Sequence, residues 1–183
     1  FARRVMNDAI TPELLLQAYR AGVFPMADDA DSTELYWYDP PERTHFPLAQ
    51  FHVPARLRRT IRRWPYHISV NRAFPAVMQG CATPNAERGR DRTWINAEIH
   101  ALYGALHRMG HAHSVETRDA DGRLVGGLFV VSIGGFVSGE SMFHTATDAS
   151  KVALVALVGR LRQAAGPVLL DTQWRDRKST RLN

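Results

Sequence analysis

Three residues in this sequence carry chemistry that their surroundings make costly to keep. Glu140 stands in GGFVSGESMF, among Phe136, Val137, Met142 and Phe143. An unpaired carboxylate buried among such side chains costs several kcal/mol, so it is either solvated or held for a purpose. Asp171 and Gln173 close the apolar run that begins at Val168. Residues two apart on a strand project to the same face, so this carboxylate and this amide lie side by side. A carboxylate beside an amide at a strand end suits the holding of an amine. Capping of the local backbone by Asp171 is the plainer alternative.

A second feature is charge. Pro54 opens the segment ARLRRTIRRW, in which Leu57, Ile61 and Trp64 share one narrow helical arc. Arg56, Arg58, Arg59, Arg62 and Arg63 cover the opposite side. Like charges this dense repel one another unless something anionic lies against them, and an ordinary solvated face mixes its signs. The helix is therefore expected to meet a polyanion.

Other constellations are weaker. His107, His111, His113 and Glu116 lack the second cluster that would complete a metal site, and they read as surface or core-edge residues. Gly139-Glu-Ser141 is not a nucleophile elbow, because Phe143 stands where that motif needs glycine. An acyl-CoA site needs a glycine-rich loop opening a helix to cradle pyrophosphate. The nearest imitation, Gln163 to Val168, closes a helix instead, and Pro167 removes a donor. Trp37, Trp94 and Tyr103 sit outside or at the margins of the apolar stripes. They can stack on a base or simply fill core.

The elements that must position these residues follow from periodicity and punctuation. Thr11-Pro12 opens a helix that stops at Gly22. A segment rich in Pro, Asp and aromatic residues follows to Pro47, read as short strands and loops. After the arginine helix come a strand at His67–Val70, a short helix to Gly80, and a polar loop from Cys81 to Thr93. Asn96 caps the next helix, which carries Ile99, Leu102, Tyr103 and Leu106 on one face and ends at Gly110. Strands follow at His111–Thr117, Leu124–Ile133 and Val137–Phe143, with turns at Asp121-Gly122 and Gly134-Gly135. A helix capped by Thr147 or Asp148 runs to Ala165, and the strand Val168–Asp171 comes last. This order predicts an α+β fold, with a small N-terminal α/β unit over residues 1–50 and a larger domain with a mixed sheet over 51–183.

Composition sets the outer limits. The 183 residues are 45% hydrophobic, which excludes wholesale disorder. The single cysteine, Cys81, allows no internal disulfide and points to a reducing compartment. The apolar run Val152–Val158 is far too short to span a membrane, and FARRVMND has no signal-peptide core. The first residue is not Met, so a few N-terminal residues are expected to be missing. The net charge of +5 comes almost wholly from arginine, whose planar fork suits phosphate.

One family resemblance joins these pieces. It is carried by LLLQAYRAGVFPM (Leu14 to Met26), Trp37-Tyr-Asp-Pro40, Arg43, Trp94-Ile95, HRMGHAHSVE (His107 to Glu116), LVGGLF (Leu124 to Phe129), GESMF (Gly139 to Phe143), ASKVAL (Ala149 to Leu154) and LLDTQ (Leu169 to Gln173). In that order they resemble the bacterial leucyl/phenylalanyl-tRNA–protein transferase family, over residues 11 to 173. The resemblance implies an N-acetyltransferase-like (GNAT-like) larger domain that takes aminoacyl-tRNA in place of acyl-CoA. It implies transfer of Leu, Phe or Met to proteins that begin with Arg or Lys, marking them for degradation in the cytoplasm. No cofactor or metal is implied, since the aminoacyl ester is already activated, and the protein is expected to act as a monomer away from membranes.

By position, the resemblance makes Asp171, Gln173 and Glu140 the catalytic set. On this reading Asp171, through Gln173, attracts and orients the acceptor amine and assists its proton loss, and Glu140 orients the substrate amines. Leu128, Phe129, Val137 and Met142 become the lining of the aminoacyl pocket. Trp37, Trp94 and Tyr103 correspond to aromatics near the terminal adenosine, and the arginine helix to the basic helix at the tRNA acceptor stem. Two positions depart from the family. Arg118 stands where a tryptophan is usual, and Trp174–Asn183 replaces a His-containing segment and a Ser-Leu-Gly-Ala stretch, so this tail is read as atypical and truncated. The competing classes are a non-catalytic RNA-binding module, which would not need the three polar residues, and an acyl-CoA N-acyltransferase, which would need the absent phosphate loop.

Overall fold

Thr11 accepts a hydrogen bond from the Leu14 backbone N–H at 3.2 Å and Pro12 follows it, so helix α1 (Pro12–Arg20) starts as the sequence predicts. The computed structural model describes residues 10–63, 66–84 and 92–173, with the backbone of 2–5. Gly22, at φ 84°, turns the chain from α1 into strand β2 (Phe24–Ala27). With β1 (Ala2–Val5) and β3 (Leu35–Asp39) this strand forms a small antiparallel sheet, in the order β1-β3-β2.

The larger sheet has six strands. They are β4 (His45–Phe46), β5 (His67–Val70), β6 (Ala112–Arg118), β7 (Leu124–Ile133), β8 (Phe136–His144) and β9 (Leu169–Asp171). Their order is β4-β9-β8-β7-β6-β5, and every pair is antiparallel except β8 with β9. The parallel pair needs a crossover, which helix α5 (Ala149–Leu161) supplies. The segment at 45–46, placed by sequence in the small unit, is thus an edge strand of the large sheet.

Period-2 alternation splits the large sheet into two faces. On one face, Phe129, Val131 and Phe143 pack beneath helices α3 (Phe74–Ala82) and α4 (Ala97–Arg108). Leu15, Leu16 and Tyr19 of α1 join the same cluster, so both units share one core. On the other face, Leu128, Val130, Val137 and Leu170 pack against Ala153, Leu154, Leu157 and Val158 of α5. Gly126 lets α5 sit close to β7, because a Cβ there would lie 2.6 Å from the Ala149 Cβ and 2.9 Å from its carbonyl carbon. Helix α2 (Ala55–Arg63) lies near α5 and buries Leu57.

Several local expectations shift. α3 extends through Cys81, which the sequence reading left in a loop, and Cys81 is buried in the core. α5 stops at Leu161 rather than Ala165. Just beyond it Arg162 donates to the Leu48 and Phe51 carbonyls, tying the end of the helix to the β4–α2 connection. Asp148 precedes α5 in a left-handed conformation, φ 63°, without a side-chain capping bond. Trp64, most of the Cys81–Thr93 loop and the tail Trp174–Asn183 lie outside the described residues. Among the described residues, no helix is long and apolar enough to cross a membrane.

Candidate active site

The site forms where β8 and β9 run side by side beneath α1. On β8 the pairing with β7 slips: Phe129 opposes Ser141, but Val130 opposes Gly139. Glu140 is the extra residue of this β-bulge and has no partner across the ladder. On β9, Asp171 ends the strand and Gln173 follows with φ 65°, a left-handed conformation uncommon for a side-chain-bearing residue. The turn brings the Gln173 side chain back over the sheet, where its Nε2 donates to Glu140 Oε2 at 2.7 Å.

Asp171 is 2% exposed and held by four donors. Arg43 donates to it twice, Nε to Oδ1 at 3.1 Å and Nη2 to Oδ2 at 2.5 Å. The Gln173 backbone N–H donates to Oδ2 at 3.1 Å, and the Ser138 hydroxyl donates to the same oxygen at 3.4 Å. The remaining arm of Arg43, Nη1, reaches the Gly22 carbonyl at 2.6 Å, and its guanidinium lies 5.2 Å from the centre of the Phe24 ring.

Glu140 is in the opposite condition. Its Oε2 has Gln173, but its Oε1 is buried without a well-formed hydrogen bond among the described residues. Burial pushes its pKa up to about 7. The hydroxyls of Ser138 and Tyr19 and the charge of Arg43 pull it down, and the charge of Asp171 pushes it up. Tyr19 and Tyr103 share a 2.5 Å hydrogen bond nearby, and both phenols are held neutral by burial and by the Glu140 charge.

The structure therefore brings Asp171, Gln173 and Glu140 together, as the sequence reading has it. The four proposed pocket residues do not share a wall. Phe129 faces the Glu140 side, whereas Leu128, Val137 and Met142 face α5 on the other side of the sheet. Neighbours in a strand point apart, and the bulge at Glu140 further shifts the alternation along β8. Tyr103 also departs from its expected place: it is 0% exposed, 5.5 Å from Phe129 and 6.1 Å from Trp94, and offers no open face to a base. Trp94 and Trp37 are half-buried at the edge of the same cluster. Arg56, Arg58, Arg59, Arg62 and Arg63 are all exposed.

The histidines serve the fold. His107 stacks on Phe74 at 4.2 Å and its Nδ1 bonds to the Ala112 carbonyl, while His113 bonds to Asn71. Buried Glu116 accepts from the hydroxyls of Ser69 and Ser114 and from the backbone N–H groups of Arg72 and Ala73, just ahead of α3. Among the described residues, no group of three or more His, Cys, Asp or Glu is placed to hold a metal ion. Sequence reasoning gave no role to Tyr19, Arg43 or Ser138. No local pattern could have given Arg43 its partner, since Asp171 lies 128 residues away.

A buried carboxylate oxygen with no well-formed hydrogen bond among the described residues, next to a primary amide and bordered by aromatic rings, can hold an amine beside an apolar group. Acyl-transferring enzymes that act on amines are one class that such an arrangement suits. Two family models agree with this class. Residues 8–41 match the N-terminal domain of leucyl/phenylalanyl-tRNA protein transferase, and residues 45–183 match leucyl/phenylalanyl-tRNA protein transferase itself. The chain belongs to this family. Relatives with that name include one from Nitrobacter winogradskyi, 51% identical over 94% of this chain and 75% of the relative. Another, from Rhodopseudomonas palustris, is 54% identical over 90% of this chain and 72% of its own length. Among solved structures, the C-terminal domain of a lysylphosphatidylglycerol synthetase from Agrobacterium fabrum is 16% identical, with TM-score 0.47, over 99% of this chain and 58% of that one. A tandem GNAT protein from the clavulanic acid pathway has TM-score 0.42 at 15% identity, over 99% of this chain and 57% of that one.

Proposed function

We propose that this transferase moves Leu, Phe or Met from aminoacyl-tRNA to the α-amino group of proteins that begin with Arg or Lys, marking them for degradation in the cytoplasm. It works as a monomer, without metal or cofactor. The observation that carries the reading is the Glu140–Gln173 pair, with its 2.7 Å hydrogen bond and the unpartnered Oε1 of Glu140. At neutral pH the acceptor amine is largely an ammonium ion and must shed a proton before it can attack. A carboxylate whose pKa is about 7 is half-ionised there and suited to take that proton. The amine nitrogen then attacks the ester carbonyl. Glu140 has released that first proton to solvent, and as the C–N bond forms it takes a second proton from the nitrogen; the bond between the carbonyl carbon and the ribose oxygen breaks, and the ribose oxygen leaves with this second proton. Gln173 orients the amine. Asp171 holds the Gln173 backbone in its turn and does not take the proton itself.

The rest of the molecule supplies placement, the larger part of such a reaction. The exposed arginines of α2 lie against the acceptor stem. Trp94 and Trp37 receive the terminal adenosine, and the aminoacyl side chain rests on the wall of partly exposed apolar side chains at the edge of the same cluster, behind which Phe129 is fully buried. A wall of this kind rejects charged side chains but separates Leu from a near-isostere by only about 1–3 kcal/mol, through shape.

The test is transfer of labelled leucine from Leu-tRNA to a peptide beginning with Arg. Transfer that is abolished by RNase, and that is absent with a peptide beginning with Ala, is expected. Leucine incorporation indifferent to the tRNA or to the acceptor's first residue overturns the reading.

A further inference from the structure

We propose that Arg43 is a positioning residue for this reaction: it locks Asp171 as a fixed counter-charge and so reserves proton transfer for the Glu140–Gln173 pair. The inference rests on the aminoacyl-transfer reading above. Arg43 lies in the connection between the two sheets, and each nitrogen of its guanidinium is committed. Nε and Nη2 form a fork on Asp171, and Nη1 holds the Gly22 carbonyl behind α1. A planar fork holds a carboxylate in one orientation, which a lysine cannot do. With Ser138 and the Gln173 N–H, four donors converge on Asp171. Three of them meet Oδ2 and the fourth, Arg43 Nε, meets Oδ1, so the carboxylate is fixed in one orientation, 2% exposed, with Oδ2 closed to an amine proton.

Glu140 lies on the same face of the site with a single firm donor. Two neighbouring carboxylates are thereby given different tasks by different partners. The groups that face Glu140 are Tyr19 of α1, Tyr103 of α4, Ser138 of β8, Asp171 and Gln173 at the end of β9, and Arg43. Arg43 favours the ionised form of Glu140, and Asp171 opposes it. The ion pair presents these influences together, so they largely offset. Removing either partner exposes the other, and the two removals act on Glu140 with opposite signs.

The experiment uses the full chain with carboxyl-labelled glutamate. The Glu140 carbon-13 signal is assigned with Glu140→Gln and followed against pH, and the acid limb of kcat/KM for leucine transfer is measured in parallel. Arg43→Met is expected to raise the Glu140 midpoint by about one pH unit, the size of effect a nearby charge produces. Asp171→Asn is expected to lower it, and the double variant to return it near the parent value. Arg43→Lys keeps the charge but loses the fork. It should leave the midpoint near the parent value and lower kcat, with KM for the tRNA unchanged. A residue that merely glued the two units together would shift the midpoints through its charge but leave kcat unchanged in Arg43→Lys. Midpoints that stay fixed, or that move in the same direction in Arg43→Met and Asp171→Asn, overturn the proposal. Should Arg43→Met fail to fold, Arg43→Lys and Asp171→Asn still decide it. If the parent chain shows no tRNA-dependent transfer, the functional reading fails, while the carbon-13 titration still decides the role of Arg43.

Discussion

Replacing Glu140 by glutamine should abolish transfer and yet make the protein more stable. In the folded state the Glu140 pKa stands at about 7, against an ordinary 4.5. Folding therefore favours the protonated form, and stability falls as pH rises from about 4.5 through about 7. At roughly 1.4 kcal/mol per pH unit, the full penalty above pH 7 is about 3 kcal/mol. Glutamine keeps an oxygen for Gln173 Nε2 and carries no charge to desolvate. Its amide N–H groups face the hydroxyls of Ser138 and Tyr19, which can accept them. For a chain of this size, 1 kcal/mol moves Tm by about 2–4 °C, so Glu140→Gln should melt about 6–12 °C higher at pH 8. By pH 5 the advantage should shrink to about 1 kcal/mol, because parent Glu140 is protonated in the fold there. Scanning calorimetry at the two pH values, with the parent in the same buffers, measures the difference and cancels every other titrating group. An equal gain at both values, or no gain at pH 8, refutes the argument that Glu140 is held ionisable against its own burial.

Two further predictions concern the helix and the sheet. Replacing Arg59, Arg62 and Arg63 with glutamine should weaken tRNA binding and lower the slope of log K against log salt by about 2–3, since each phosphate contact contributes close to one. Unfolding in urea should barely change, as all three side chains are exposed. An unchanged slope, read by filter binding, counts against α2 as the tRNA contact. Gly126→Ala should destabilise the fold by about 1–3 kcal/mol, because the new methyl meets Ala149 side chain and backbone within 3 Å. Urea titration checks it, and a neutral result means α5 can lift off β7 freely.

The residues of the site were legible because their chemistry conflicts with their neighbourhood. A carboxylate inside GESMF and a polar pair closing LLDTQ are conspicuous against apolar runs. The two marked turns were legible as well: Gly122 and Gly134 take φ 79° and 58°. What escaped was geometry that only pairing creates. The bulge at Glu140 exists because β7 and β8 slip by one residue, and no property of GESMF announces the slip. The sidedness of Leu128 and Phe129 was readable from alternation alone, and a pocket drawn through both ignored it. Tyr103 was likewise readable as core, since it falls on the buried stripe of α4 with Ile99, Leu102 and Leu106. Arg43 was visible as a residue and invisible as a partner, because long-range pairing leaves no local trace.

The Arg43–Asp171 contact can also be considered in time. The ribosome adds about 5–20 residues per second, so roughly 6–26 s separate the synthesis of the two residues, which stand 128 positions apart. Throughout that interval the guanidinium has no carboxylate, Glu140 has no Gln173, and the left-handed turn that joins them has not been made. The small N-terminal sheet and α1 can form early, but they wait as one jaw of a clamp. The Arg43–Asp171 and Glu140–Gln173 contacts therefore form together, and only once β9 has taken its place between β4 and β8.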